Sequence, residues 1–242
     1  MAIDENYFWS WSARESRRAS ATPRKSFRHP IRINRSKRTV WNFQCNITKR
    51  DHPCHSNNEY LWHQMLDLTP SVKEFTSQSF VLSYTSEGVD RIYTADNDVL
   101  LNSGKRILVE VKPEWQIDDP ESAQKWEDIE IAAMAIGARF LFVPDTYLLA
   151  EPRKSNVWEI HKHRHYDPPS DVVYALLRRF ESYGIIPLAA LAEPIRGKPY
   201  DQVWMTCFIK GLIYRRLLTF DFMHSLGATT DIHLVNRDQI YA

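Results

Sequence analysis

The sequence predicts an α/β fold: a mixed sheet flanked by helices, with a small, mostly helical domain behind it. Three observations predict it. Strand-length apolar runs (Phe80–Tyr84, Val89–Thr94, Arg106–Lys112, Arg139–Val143) are interrupted by stretches with helical spacing. Hydrophobic residues form 43% of the 242-residue chain and aromatics 12%, which suits a packed core and not a disordered chain. Pro168-Pro169 punctuates the chain, and beyond it the pattern turns helical. The expected organisation is a basic N-terminal arm at 1–38, an α/β domain at 39–166 and a smaller domain at 167–242.

The arm is set apart by charge. The net charge is only +1, yet residues 1–55 hold 12 Lys+Arg against 4 Asp+Glu, a balance of +8, while the rest is at −7. A basic arm on a mildly acidic body suggests an anionic partner. Arg32, Arg35, Lys37 and Arg38 are candidate DNA-phosphate contacts; a solvated tail explains the same composition equally well. No apolar run approaches the ~20 residues of a membrane span. Met1–Ser10 carries Asp4 and Glu5 and lacks the apolar segment of a signal peptide. Three scattered cysteines, Cys45, Cys54 and Cys207, fit a reducing cytoplasm better than a disulfide framework.

Within 39–166, Thr39–Thr48 reads as a short strand or extended lead-in. Ser56–Leu68 reads as a helix with Leu61, Met65, Leu66 and Leu68 on its apolar side, closed by Pro70. Ser56-Asn57-Asn58-Glu59 has the spacing of a capping box. Thr85–Gly88 and Asn102–Lys105 are turns between strands. Pro120–Gly137 is helical, with Trp126, Ile129, Ala133 and Ile136 on one side, and Arg139–Val143 is a further strand.

One constellation carries chemistry. Asp96 follows a strand, and Glu110-Val111-Lys112 lies fourteen residues later at the end of the apolar strand Ile107-Leu108-Val109. Alternate strand residues share a face, so Glu110 and Lys112 point the same way, and a hairpin brings Asp96 beside them. Two carboxylates can hold Mg²⁺, and a lysine can stabilise phosphate charge. The bland reading is a hairpin with a solvated salt-bridge face. Glu59 is a third carboxylate near the helix start. Asp98, by strand alternation, shares a face with Asp96 and is a further carboxylate there.

Four motifs in order carry a resemblance. Ser56-x-x-Glu59, Val72-Lys73-Glu74-Phe75 with Gln78, Tyr93-Thr94-x-Asp96, and Glu110-Val111-Lys112-Pro113 resemble the TnsA endonuclease family over about residues 43–145. The resemblance implies a restriction-endonuclease-like domain with a PD-(D/E)xK site. It also implies catalytic Glu59, Asp96, Glu110 and Lys112, and Mg²⁺ (with Mn²⁺ able to substitute) held by Asp96, Glu110 and Glu59. It further implies a subunit of a heteromeric transposase that cuts the non-transferred strand at transposon ends, in the bacterial cytoplasm at the nucleoid. The implied partners are transposon-end DNA, a TnsB-like transposase and a TnsC-like ATP-dependent regulator. The sequence departs from the family at Ala95 and Ser79, where proline is usual, and at Asn97, where an apolar residue is usual.

Beyond Pro169, Ser170–Tyr183, Leu188–Ala192 and Tyr200–Leu212 read as helices, and Leu217–Phe222 and Asp231–Val235 as strands. Three helices and a hairpin make a winged-helix pattern, the C-terminal domain type that the resemblance also implies. Lys210, Arg215 and Arg216 cluster only at a helix end, which argues weakly for base readout; the resemblance implies docking of the regulator instead. His161, His163 and His165 would share a face on a strand and could hold zinc; a basic link explains them more simply. His52, Cys54 and His55 lack a second ligand pair at finger spacing. The alternatives to a transposase subunit are a free-standing restriction or repair nuclease and a nuclease-dead DNA-binding adaptor.

Overall fold

Strand edges and turns determine the larger unit. The computed structural model describes residues 19–23, 41–86, 88–117 and 120–235; Arg32, Arg35, Lys37 and Arg38, the candidate DNA contacts, lie outside them. The first described strand, β1 (Ala19–Pro23), falls in the basic arm and pairs antiparallel with β5. A hairpin of β2 (Trp41–Gln44) and β3 (Asp51–Cys54) leads into helix α1 (Asn57–Leu68). Strands β4 (Val72–Ser77), β5 (Phe80–Ser86), β6 (Val89–Tyr93), β7 (Asn97–Leu101) and β8 (Arg106–Lys112) follow in succession. Then come a short helix α2 (Glu114–Ile117), the long helix α3 (Pro120–Ala135), β9 (Ala138–Pro144) and α4 (Asp145–Leu149).

The strands make a four-stranded sheet in the order β4-β7-β8-β9 and a three-stranded sheet in the order β1-β5-β6. In the first sheet β7 is antiparallel to β4 and β8, whereas β9 is parallel to β8. A parallel neighbour needs a crossover, and α3 supplies it. Gly137, at φ +76°, lets the chain turn from that helix into β9, and its amide donates to the Met134 carbonyl. Helix α3 buries Ile129 and Ala132 against Leu82 and Tyr84 of β5, and Ala133 against Ala95, Leu108 and Ala138. Full burial of a side chain such as Ile129 contributes about 1.5–3 kcal/mol. The mixed sheet flanked by helices agrees with the expected α/β class.

The described chain folds as two compact units, one of residues 19–66 with 72–148 and one of 67–71 with 149–235. The second unit therefore starts before the expected boundary at 166/167. Its first helix, α5 (Arg153–Lys162), packs within that unit: Asn156 Nδ2 donates to the carbonyls of Phe222 and His224, and Asn156 Oδ1 accepts from the Leu226 amide. Then come α6 (Ser170–Ser182), β10 (Ile185–Pro187), α7 (Leu188–Leu191), α8 (Gln202–Tyr214), β11 (Leu218–Thr219) and β12 (Asp231–Leu234). The strands form a sheet in the order β10-β12-β11, antiparallel throughout. Leu176, Leu191, Ile209 and Ile232 are fully buried in this unit. The expected strand Leu217–Phe222 is real only at Leu218–Thr219, because Phe220 and Phe222 turn into the core and stack on each other.

Candidate active site

The site is built on β8 and the chain just ahead of β7. The β7–β8 register sets Asn97 opposite Val109, so Asp96 falls beside Glu110 and Val111. The Val111 amide donates to Asp96 Oδ2 at 2.9 Å. Two residues apart on one strand, Glu110 and Lys112 do share a face: Lys112 Nζ lies 3.0 Å from Glu110 Oε1. The other Glu110 oxygen accepts a short hydrogen bond from the Tyr93 hydroxyl. Glu110 is buried, and Lys112 is about one-third exposed.

Glu59 reaches the same neighbourhood from α1. Its amide donates to Ser56 Oγ at 3.1 Å, and its carboxylate accepts from the His55 amide at 2.9 Å and from the Ser56 hydroxyl at 3.0 Å. Ser56 therefore caps the helix as expected, while the Glu59 carboxylate reaches back to the amide of His55, one residue before the cap. The Glu59 charge nevertheless acts on both Asp96 and Lys112. The four candidates Glu59, Asp96, Glu110 and Lys112 thus come from three elements into one electrostatic neighbourhood.

That neighbourhood carries surplus negative charge. Burial, then the carboxylates of Glu110 and Glu59, push Asp96 up to about 7. Burial works against the Lys112 ammonium, but Glu110, Asp96 and Glu59 outweigh it and hold its pKa above the usual lysine value. Burial and the carboxylates of Glu110 and Asp96 drive Tyr93 upward, so its hydroxyl acts as a donor. Among the described residues, no three His, Cys, Asp or Glu side chains converge into a ready-made metal cluster. The donor set fits a hard cation all the same: it is made of carboxylate oxygens, and burial with two neighbouring carboxylates disfavours the charged form of Asp96.

Two expectations about nearby residues need correction. Asp98 does not join Asp96. Its carboxylate pairs with Arg106 Nε at 3.2 Å and accepts from Ser79 Oγ at 3.4 Å. Strand alternation fails because Asp96 precedes β7, outside the regular strand. The run from His161 to His165 is not a strand: His161 lies on α5, buried against the Tyr214 ring, and His163 Nδ1 contacts the Glu159 carbonyl oxygen at 2.8 Å.

Sequence reasoning missed Tyr93 as a contributor, although it stands in a quoted motif. It also missed the backbone role of Gln78, whose φ of +47° is unusual for a residue other than glycine, and whose amide donates to the Asp96 carbonyl at 3.0 Å. Only the resemblance singled out Gln78. No side-chain pattern signals a backbone that grips Asp96 from behind.

A mixed sheet flanked by helices, presenting two carboxylates and a lysine along one strand and its neighbour, is consistent with the restriction-endonuclease-like class of nuclease folds. Within it, residues 69–163 match the family model described as the N-terminal part of TnsA-like endonucleases. That segment is similar to the TnsA-like endonuclease domain, in line with the motifs, and the similarity supports a transposon-associated nuclease. The match covers Asp96, Glu110 and Lys112 and begins after Glu59. No curated protein matches the chain. Among the described residues, no helix is long and apolar enough to cross a membrane.

Proposed function

We propose that the protein is the metal-dependent DNA endonuclease subunit of a heteromeric cut-and-paste transposase, cleaving the non-transferred strand at transposon ends. The observation that carries this reading is the Asp96–Glu110–Lys112 group, set in a segment of TnsA type. Asp96 and Glu110 would hold Mg²⁺ or Mn²⁺, with Glu59 as third carboxylate; the cation would polarise the scissile phosphate and acidify a water. Lys112 stays an ammonium among three carboxylates, which suits it to stabilise developing phosphate charge rather than to accept a proton. Tyr93 and Lys112 occupy one oxygen each of Glu110, which fixes the carboxylate's orientation. Arg32, Arg35, Lys37 and Arg38 would add phosphate contacts from the arm.

From α6 onward, the second unit supports a winged-helix reading through its order helix, strand, helix, helix, strand, strand, with β12 between β10 and β11. Docking of a TnsC-like regulator is favoured over base readout because the cations near the end of α8 are engaged within the unit. Lys210 pairs with Glu159 at 2.5 Å, Arg215 pairs with Asp167 at 3.0 Å, and Arg216 donates to the Pro70 carbonyl.

The deciding experiment is strand-resolved cleavage of a transposon-end duplex in Mg²⁺. The protein is tested alone and with a TnsB-like transposase and a TnsC-like ATPase, with Lys112→Ala as control. Nicking of one strand only when partners are present supports the proposal. Cutting by the protein alone would favour a free-standing nuclease, and silence in both settings an adaptor.

A further inference from the structure

Beneath the carboxylates lies a buried polar chain that the proposed chemistry does not use. Cys54 ends β3, His63 sits in α1 and Asn97 opens β7, and all three are almost wholly buried. The Cys54 sulfur lies 3.0 Å from His63 Nδ1, and Asn97 Nδ2 lies 2.7 Å from His63 Nε2, with Ser77 Oγ of β4 3.5 Å from that nitrogen. With Asn97 donating to Nε2, the ring proton sits on Nδ1 and points at the Cys54 sulfur. The rings of Phe43 and Phe75 enclose the imidazole at 5.9 and 5.2 Å. Burial, then the neighbouring His52, lowers His63 to about 3, so the ring is neutral at ordinary pH.

The placement gives this chain a purpose. His63 is one helical turn beyond Glu59, about 6 Å along the axis. Asn97 is joined to Asp96 by a single peptide bond. Asn97 also accounts for a departure from the family pattern. An amide occupies a position whose neighbours on the same face, Val99 and Leu101, are buried and apolar. A fully buried amide is costly without partners; His63 partners the Asn97 nitrogen, while Asn97 Oδ1 is buried without a hydrogen bond.

We infer that His63 and Asn97 are positioning residues: their buried bond locks the helix that bears Glu59 to the strand that begins just after Asp96, and so sets the spacing of those two carboxylates. The inference rests on the nuclease reading for its consequence, while the bond itself can be tested separately.

The test compares the full-length protein with Asn97→Leu and with His63→Phe/Asn97→Leu. Asn97→Leu strands the His63 nitrogen and lowers the melting temperature. The double variant replaces the polar pair with apolar side chains and returns the melting temperature to within a few degrees. Its Mn²⁺ affinity by calorimetry stays weaker by about ten- to a hundredfold, the range in which the outer partners of metal ligands act. A purely structural bond would restore both together, and parental Mn²⁺ affinity in the folded double variant overturns the positioning role alone. Failure of the unaltered protein to bind Mn²⁺ would overturn the nuclease reading and the role with it. If the double variant does not fold, ¹⁵N chemical shifts of His63 in the unaltered protein decide. A single neutral tautomer from pH 5 to 8 supports the bond, and averaged or titrating ring nitrogens overturn it.

Discussion

The two compact units treat their carboxylates in opposite ways. In the second, Glu159, Asp171 and Asp221 each have a cation or amide partner that lowers the carboxyl pKa. The Lys210 ammonium holds Glu159 down, Lys198 does the same for Asp171, and the Met223 amide for Asp221. In the larger unit, Asp96 and Asp98 are raised, by burial first, and Asp96 further by Glu110 and Glu59. Paired charges are what a fold adopts when charge serves only solubility and modest stability. Crowded, under-compensated carboxylates persist where they are used, because burying like charges together costs stability.

The sharpest way to break this contrast is at Lys112. Lys112→Ala should reduce cleavage at least about a hundredfold while changing Mn²⁺ affinity only a few-fold. Calorimetry beside strand-resolved cleavage checks it, and joint loss of binding and cutting would end the assigned division of labour.

Asp96 offers the next largest effect. Its folded pKa is raised, so the folded protein keeps a proton between about 4 and about 7 that the unfolded chain has released. Metal-free stability therefore falls as pH climbs through that window. Asp96→Asn cannot ionise, and its side-chain oxygen can still accept from the Val111 amide. It should be more stable than the parent at pH 8 in EDTA, by no more than about 4 kcal/mol, and equal near pH 4. Urea melts at both pH values test this; equal stability at pH 8 would mean that Asp96 is not under carboxylate pressure. The same variant should lose Mn²⁺ binding.

A substitution in the second unit should behave as ordinary packing. A Cβ on Gly211 would run into the Tyr166 carbonyl oxygen. Gly211→Ala should cost about 1–3 kcal/mol in thermal or urea melts, and leave Mn²⁺ affinity unchanged. The smallest effect belongs to the charge pairs there: Glu159→Gln should cost under about 1 kcal/mol at pH 7. Because the Glu159 pKa is lowered, that difference should vanish as the medium is acidified below its folded pKa.

What the sequence disclosed follows the same physical lines. Glu110 and Lys112 are legible because a strand's period of two is rigid, and Ile107-Leu108-Val109 announces the strand. The α1 cap is legible because Ser56 and Glu59 meet across one turn. Strand β3 is not, since it is four residues long and contains Pro53. Strand β4 is hidden by Lys73 and Glu74, which face outward beside a register shift. Asp98 is misplaced when alternation is extended back beyond the start of β7. Helix α5 passes for part of a link because Lys162, His163 and Arg164 mask an apolar side made by Val157 and Ile160. The Cys54–His63–Asn97 chain includes a bond between residues 34 positions apart, and no local pattern foretells such a partnership.

Tyr93 has a consequence of another kind. Its ring lies edge-on to Trp126 at 6.3 Å and to Phe140 at 5.9 Å, while its hydroxyl grips Glu110. The candidate site thus rests on a floor of aromatic rings wired to its most buried acid. A shift of Glu110 would therefore be passed through the phenol to the rings of Trp126 and Phe140.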